Sequence, residues 1–455
     1  MLQYEQLREE YPLFQYKKYQ LEEIEEDILI TYYFEIPGLS SFAPTWRFPK
    51  AGHELETLKE NGTFLELVFS LGLVELISYW KITCSKKVEV LAGAFSQEQM
   101  LWWKNLYFHG LGEFFYTNGI QPDPEEFMEL LSKGEKIESG KQTLKEPSGC
   151  LIPIGGGKDS AVTLELLKKA GEPCTCCIIN PRGATWNTVF AGGYQQSDAD
   201  TIKRTLDKNM LELNKQGFLN GHTPFSALVA FSTTIAAYLK NIRYIVLSNE
   251  ASANESTVLG SSVNHQYSKS FAFEKDFHEY EAKYIESGTY YFSLLRPLSE
   301  FQIGRFFSSC QAYHDIFRSC NVGSKEDKWC GHCSKCLFVF FILSPFISHD
   351  RLCEIFGRDM LEDPEMIPIM DQLIGMVEEK PFECVGSREE VNTAISMTIV
   401  AKEREGKPLS KLLNHYKETP FYAAYKEKEN PYFTYYNEEN LLPDQFAQLV
   451  KDNCL

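Results

Sequence analysis

The sequence predicts an α/β protein in three parts: an N-terminal α+β domain over 1–145, a parallel-sheet domain over 146–345 and a helical C-terminal region over 346–455. Three observations lead there. From residue 150 onward, short apolar runs alternate with helical patterns, the βαβ rhythm of a parallel sheet. Before it, residues 118–149 are dense in Pro, Gly and charge and read as a linker holding one short helix. The stretch from about 350 to 455 is charged and helical, with few sharp motifs.

In chain order, Leu21–Asp27 (LEEIEED) has acidic, helix-like spacing. Ile28–Ile36 (ILITYYFEI) is β-branched and aromatic and reads as a strand. Gly62–Leu76 repeats apolar residues at helical spacing. Cys150–Ile154 is a short buried strand, followed by a glycine turn and a helix over Asp159–Ala170. Cys174–Asn180 is a second strand, Pro224–Lys240 a helix and Tyr244–Ser248 a third strand.

Composition narrows the function classes. With 44% hydrophobic and 24% charged residues, the 455-residue chain is neither disordered nor collagen-like. Its longest apolar run, Leu337–Ile347, carries Ser344 and Pro345 and is too short to span a bilayer. MLQYEQLREEYPLF lacks the basic-then-apolar layout of a secretory signal, so a cytoplasmic protein with no membrane partner is expected. The net charge, 45 − 63 = −18, and the lack of a Lys/Arg block argue against a nucleic-acid partner. Thirteen cysteines are an odd number; thiols or metal ligands are expected rather than bridges.

The most informative motif is Gly155-Gly156-Gly157-Lys158-Asp159-Ser160, between a strand and a helix. Glycines let backbone N–H groups approach an anion, and the helix N-terminus adds its dipole. The spacing is not that of the kinase-type P-loop. The loop resembles the SGGxDS signature of PP-loop ATP pyrophosphatases, with Gly155 where that signature has Ser. The resemblance implies an adenine-nucleotide α-hydrolase-like parallel sheet and a pyrophosphate cradle at Gly155, Gly156, Gly157, Lys158, Asp159 and Ser160. It also implies an adenosine contact at Asn180.

Seven further blocks run through the chain: FHGLGEFFYTNGI (108–120), LNGHTPFSA (219–227), LSNEASANES (247–256), VNHQYSKSFAFE (263–274), LLRPLSEFQIGRF (294–306), WCGHCSKCLFVFFILSPF (329–346) and PFECVGSREEV (381–391). Together they resemble the UDP-N-acetylmuramoyl-L-alanyl-L-glutamate epimerase family, known as MurL. That resemblance implies ATP-dependent inversion of the terminal L-Glu of UDP-MurNAc-L-Ala-L-Glu through an acyl-adenylate, releasing AMP and pyrophosphate, with Mg²⁺ on the phosphates. The α-hydrogen of a free carboxylate is very weakly acidic. An acyl phosphate lets the carbanion spread onto its carbonyl oxygen, so side-chain acids and bases can act. A 7-deazaguanine or tRNA base-modifying enzyme of the PP-loop type, or a non-catalytic nucleotide sensor, are the competing readings; release of AMP and pyrophosphate with each substrate separates them.

Candidate acid/base residues are His222, Glu250, Glu255, His265 and Cys384. Candidate substrate contacts are Arg182, Asn249, Asn254, Lys269 and Arg296. Asn and Glu groups crowd behind the third strand, where burial without a ligand or partner is costly. Cys320, Cys330, Cys333 and Cys336 give C-x9-C-x2-C-x2-C, which suits a structural, tetrahedral Zn²⁺. An iron–sulfur cluster or plain reduced thiols are the other readings.

Overall fold

The computed structural model describes residues 2–254, 267–323 and 326–455, and for Leu2, Ala253 and Asn254 the backbone only. Glu255 and His265 lie outside the described residues, as does the side chain of Asn254.

The protein is α/β, built on one large mixed sheet flanked by helices. Its strands are β1 (Leu13–Ile24), β2 (Asp27–Ile36), β3 (Ser40–Phe42), β4 (Thr45–Pro49), β5 (Lys87–Val90), β6 (Glu129–Ser132), β7 (Ser148–Pro153), β8 (Cys174–Ile179), β9 (Ala199–Thr205), β10 (Ile242–Leu247) and β11 (Tyr290–Ser293). They lie in the order β11-β10-β7-β8-β9-β4-β2-β1-β5-β6, with β3 on β2. The strands from β11 through β9 pair in parallel. β4 joins β9 antiparallel, so strands from either side of residue 145 share one ladder. Within the parallel part, the chain runs outward from β7 through β8 to β9, then returns to the other side of β7 as β10. That reversal makes the β7–β10 crevice the switch point where ligands of open α/β sheets gather.

A buried charge pair closes the β4–β9 seam. Glu75, on the Gly62–Trp80 helix, is fully buried; it accepts from the Trp46 indole at 2.8 Å and from Arg204 at 2.9 and 2.7 Å. Trp46 and Arg204 are register partners across that seam. The Gly62–Trp80 helix is long and apolar enough to cross a membrane by length and composition, but nearly all of it is buried inside the fold. It packs against the Phe225–Leu239 helix. A second core gathers the Ser334–Leu343 helix, all ten residues of it buried, with the C-terminal helices.

Two expectations fail. Leu21–Asp27 is not a helix: Leu21 to Ile24 finish β1, and a tight turn with Glu25 at φ 56° leads into β2. Its acidic residues sit on an exposed hairpin end, where Lys50 pairs with Glu23 at 2.8 Å and Arg47 with Glu25 at 3.3 Å. Cross-strand partners override the helical spacing there. Residues 118–149 hold no short helix beyond a turn; they contribute β6, which extends the sheet in parallel with β5.

Candidate active site

β7 ends at Pro153, and the glycine loop turns directly into the Lys158–Lys169 helix. Gly157 is the N-cap and no side chain caps that end, so its first-turn N–H groups are open to a ligand. Gly156 sits at φ 82°, and a Cβ there would come 3.0 Å from Ala184, so the position demands glycine. The Gly156 carbonyl accepts from the Arg318 amide at 2.7 Å, and the Ser160 hydroxyl donates to the Gly157 carbonyl at 3.1 Å.

A cavity of about 380 Å³ opens where the loops after β7 and β10 meet. Gly155, Gly157, Asp159, Ser160, Arg182, Asn249, Glu250, Lys269 and Cys384 all face it. These candidates, scattered over more than two hundred residues, are thus gathered by the fold at one place. The Lys269 ammonium lies 3.0 Å from the Cys384 sulfur. Proximity to Cys384 raises the Lys269 pKa, against the effect of burial, with Glu250 and Asp159 adding to it. Glu250 is buried with Ser252 donating to it at 3.4 Å, and the Asn249 amide donates to Ser293 at 3.0 Å.

Three candidates sit elsewhere. The imidazole of His222 is 3.4 Å from Glu113, off the cavity wall. Asn180, at φ 53°, spends its amide on the Arg204 backbone at 2.9 and 3.1 Å, stitching β8 to β9. Arg296 is fully buried, paired with Glu274 at 2.8 Å. Its remaining N–H groups reach the carbonyls of Glu250 (2.8 Å) and Lys269 (2.6 Å), so it fixes two cavity residues without entering the cavity.

The cavity also takes Glu300, Arg318, Ser319 and Lys335, which sequence reasoning missed. Lys158 bridges Asp159 and Glu300. Lys335 reaches the Cys384 carbonyl with its ammonium, and its amide donates to Glu383 at 2.9 Å. Its place between two CxxC cysteines was the available signal; it reads as a spacer until the fold is seen.

The four cysteines converge. Their sulfurs lie within 4.8 Å of one another, with Cys320–Cys333 at 3.8 Å, Cys330–Cys336 at 3.7 Å and Cys333–Cys336 at 3.5 Å. Four thiolates at ~2.3 Å from a tetrahedral zinc would stand ~3.8 Å apart, so the group could hold such an ion. Cys320 also borders the cavity.

A family model described as the MurL N-terminal domain matches residues 5–294, and one described as the MurL C-terminal domain matches residues 306–427. The chain belongs to the MurL family. Three relatives, each named UDP-N-acetyl-alpha-D-muramoyl-L-alanyl-L-glutamate epimerase, extend the match. The Xanthomonas oryzae pv. oryzae protein is 35% identical over 345 residues, 74% of this chain and 75% of its own. That of Micromonospora sp. is 32% identical over 375 residues (81% and 82%), and that of Salinispora tropica 33% over 362 (77% and 75%). No solved structure matches. The two MurL matches leave residues 295–305 between them, the stretch that carries Arg296 and Glu300.

Proposed function

We propose that this chain inverts the terminal L-Glu of UDP-MurNAc-L-Ala-L-Glu, with ATP as co-substrate, in peptidoglycan precursor synthesis. The observation that carries the reading is the shared cavity: an uncapped glycine loop, built to take an anion, faces the Lys269–Cys384 pair. The relatives' names supply the substrate class.

ATP is a substrate in this scheme. The glycine loop and Ser160 hold its β,γ-phosphates, and Arg182, Arg318 and Lys335 offset the charge brought by phosphates and carboxylates. The glutamyl α-carboxylate oxygen attacks the α-phosphorus and pyrophosphate leaves. In the acyl phosphate so formed, the Cα–H bond breaks toward the Cys384 thiolate, and its electron pair spreads onto the acyl oxygen. A proton returns to the other face, and water then releases AMP. Mg²⁺ fits a site rich in carboxylates and phosphate oxygens, with Asp159 the carboxylate nearest the loop. Zinc fits the four thiols; closed by four cysteines, that site is structural, and its flanking residues Arg318, Ser319 and Lys335 belong to the cavity wall. A nucleotide-linked substrate and ATP suit a cytoplasmic setting.

The test is direct. The purified protein is incubated with the UDP-MurNAc dipeptide with and without ATP, and glutamate chirality is read after hydrolysis beside AMP and pyrophosphate. D-Glu should form only with ATP, with both products. Epimer formation at the same rate without ATP would overturn the reading.

A further inference from the structure

We propose that His349, Cys353 and Asp359 form a second metal site, which takes Zn²⁺ or a like divalent transition ion and leaves it one open coordination position. The proposal stands apart from the epimerase reading. It concerns the C-terminal helical region, and none of the three residues lines the cavity that holds Gly155 and Cys384.

The segment HDRLCEIFGRD (349–359) builds the cluster locally. His349 and Cys353 are four apart on the His349–Phe356 helix, so one turn places both on the same face. Ser348 caps that helix, accepting from the Arg351 amide at 3.4 Å. Gly357, at φ 75°, ends it in the left-handed conformation and lets the chain turn back. Asp359 then meets the same face. Its Oδ1 accepts from the Leu361 amide at 3.0 Å, and its Oδ2 lies 2.8 Å from His349 Nε2. The Cys353 sulfur lies 3.7 Å from that same nitrogen. The three ligand atoms fall within 4.8 Å of one another. An edge-on contact with Phe340, centroids 6.0 Å apart, holds the imidazole in place.

The shared nitrogen decides between readings. A Cys-His-Asp relay uses both ring nitrogens, one toward the thiol and one toward the carboxylate. Here sulfur and carboxylate both converge on Nε2. A single proton at Nε2 serves one of these neighbours, whereas a cation at the common centre serves all three donors. Around a tetrahedral zinc, nitrogen and sulfur ligands stand ~3.6 Å apart and nitrogen and oxygen ~3.4 Å. The Cys353–His349 spacing already fits, and Asp359 needs to withdraw by only ~0.6 Å as the ion replaces the hydrogen bond. The thiol proton leaves to solvent on binding. A thiolate, a carboxylate and a neutral imidazole then balance a divalent ion. Asp350 and Lys402, one charge of each sign, also lie near the thiol.

The donor set of one sulfur, one nitrogen and one oxygen suits borderline ions such as Zn²⁺ rather than Mg²⁺. Three protein ligands are the pattern of a site that keeps a position for water or another small ligand. Access agrees with this. The side chains of His349 and Asp359 are 25% and 30% exposed, and a cavity of about 230 Å³ opens beside His349, with Lys402 and Glu405 in its wall. The site therefore exchanges its metal more readily than the four-cysteine group and is read by adding metal to the purified protein.

The test titrates the full chain with Co²⁺, after dialysis against a weak chelator, and then displaces the cobalt with Zn²⁺. A sulfur ligand gives cobalt a near-ultraviolet charge-transfer band. Wild type should take up one equivalent more than H349A or C353S, and the band belonging to that equivalent should vanish in C353S. D359N should weaken its binding about 10-fold or more. C333S should leave it in place, which separates it from the four-cysteine group. Wild type that binds no more cobalt than H349A and C353S would overturn the proposal. A second measurement needs no variant: zinc added to wild type should slow alkylation of Cys353, followed by mass spectrometry of the peptide that carries it. An alkylation rate unchanged by saturating zinc would also overturn the proposal.

Discussion

Arg204→Met is the sharpest test of how the two ends of the sheet are joined. Glu75 is fully buried and receives three N–H donors, two of them from Arg204, whose side chain is 11% exposed. Methionine fills much of the space but leaves the carboxylate with the Trp46 indole alone. Removing one partner of a buried pair costs about 3–5 kcal/mol, because the charge that remains is desolvated and uncompensated. In a chain of this length, each kcal/mol shifts the melting temperature by about 2 °C, so a fall of roughly 6–10 °C is expected. Calorimetry and far-UV circular dichroism, repeated at several scan rates, would measure it. The double variant E75M/R204M should melt above R204M, since replacing both charges removes the desolvation penalty along with the attraction. A melting temperature for R204M within about 1 °C of wild type would refute the argument, as would a double variant no better than the single.

Three further outcomes are expected together. G156V, which forces a branched side chain into φ 82° against Ala184, and D159A should each abolish dipeptide-dependent AMP release with little change in far-UV circular dichroism; undiminished AMP release would exclude the loop from nucleotide binding. Protein purified without chelator should hold about one zinc per chain by elemental analysis, and C333S should lower both zinc content and melting temperature; metal-free protein with unchanged stability would reject the zinc reading. C384S should cut D-epimer formation about 100-fold or more while pyrophosphate release persists, and normal epimerisation would remove Cys384 from the chemistry.

What was legible in the sequence follows from locality. The glycine loop and the CxxC pairs are compact patterns whose chemistry depends on neighbours in the chain, and both are assembled in the fold. The β7, β8 and β10 strands and the helices after β7 and before β10 follow from periodicity, within a residue or two of their expected ends. Other features depend on partners far away. His222 precedes the Phe225–Leu239 helix, a loop position that invites a catalytic assignment, yet its neighbour is Glu113. Arg296 looked like an anion site because its internal partner, Glu274, has no sequence mark. Glu300 was hidden for the opposite reason: SEFQ reads as an ordinary helix start, and nothing local says that Lys158 will bridge it to Asp159. LEEIEED shows spacing overruled by pairing, since its residues complete a hairpin already set by β2.

The measurement that bears most directly on the function is solvent-hydrogen incorporation. UDP-MurNAc-L-Ala-L-Glu incubated with the protein, ATP and Mg²⁺ in D₂O should yield D-Glu carrying deuterium at Cα, with AMP and pyrophosphate formed in step. Free L-Glu should react poorly, because the nucleotide-sugar portion supplies binding energy that orders the reacting centre. D-Glu that retains its original hydrogen, or AMP formed with no change at Cα, would contradict the account.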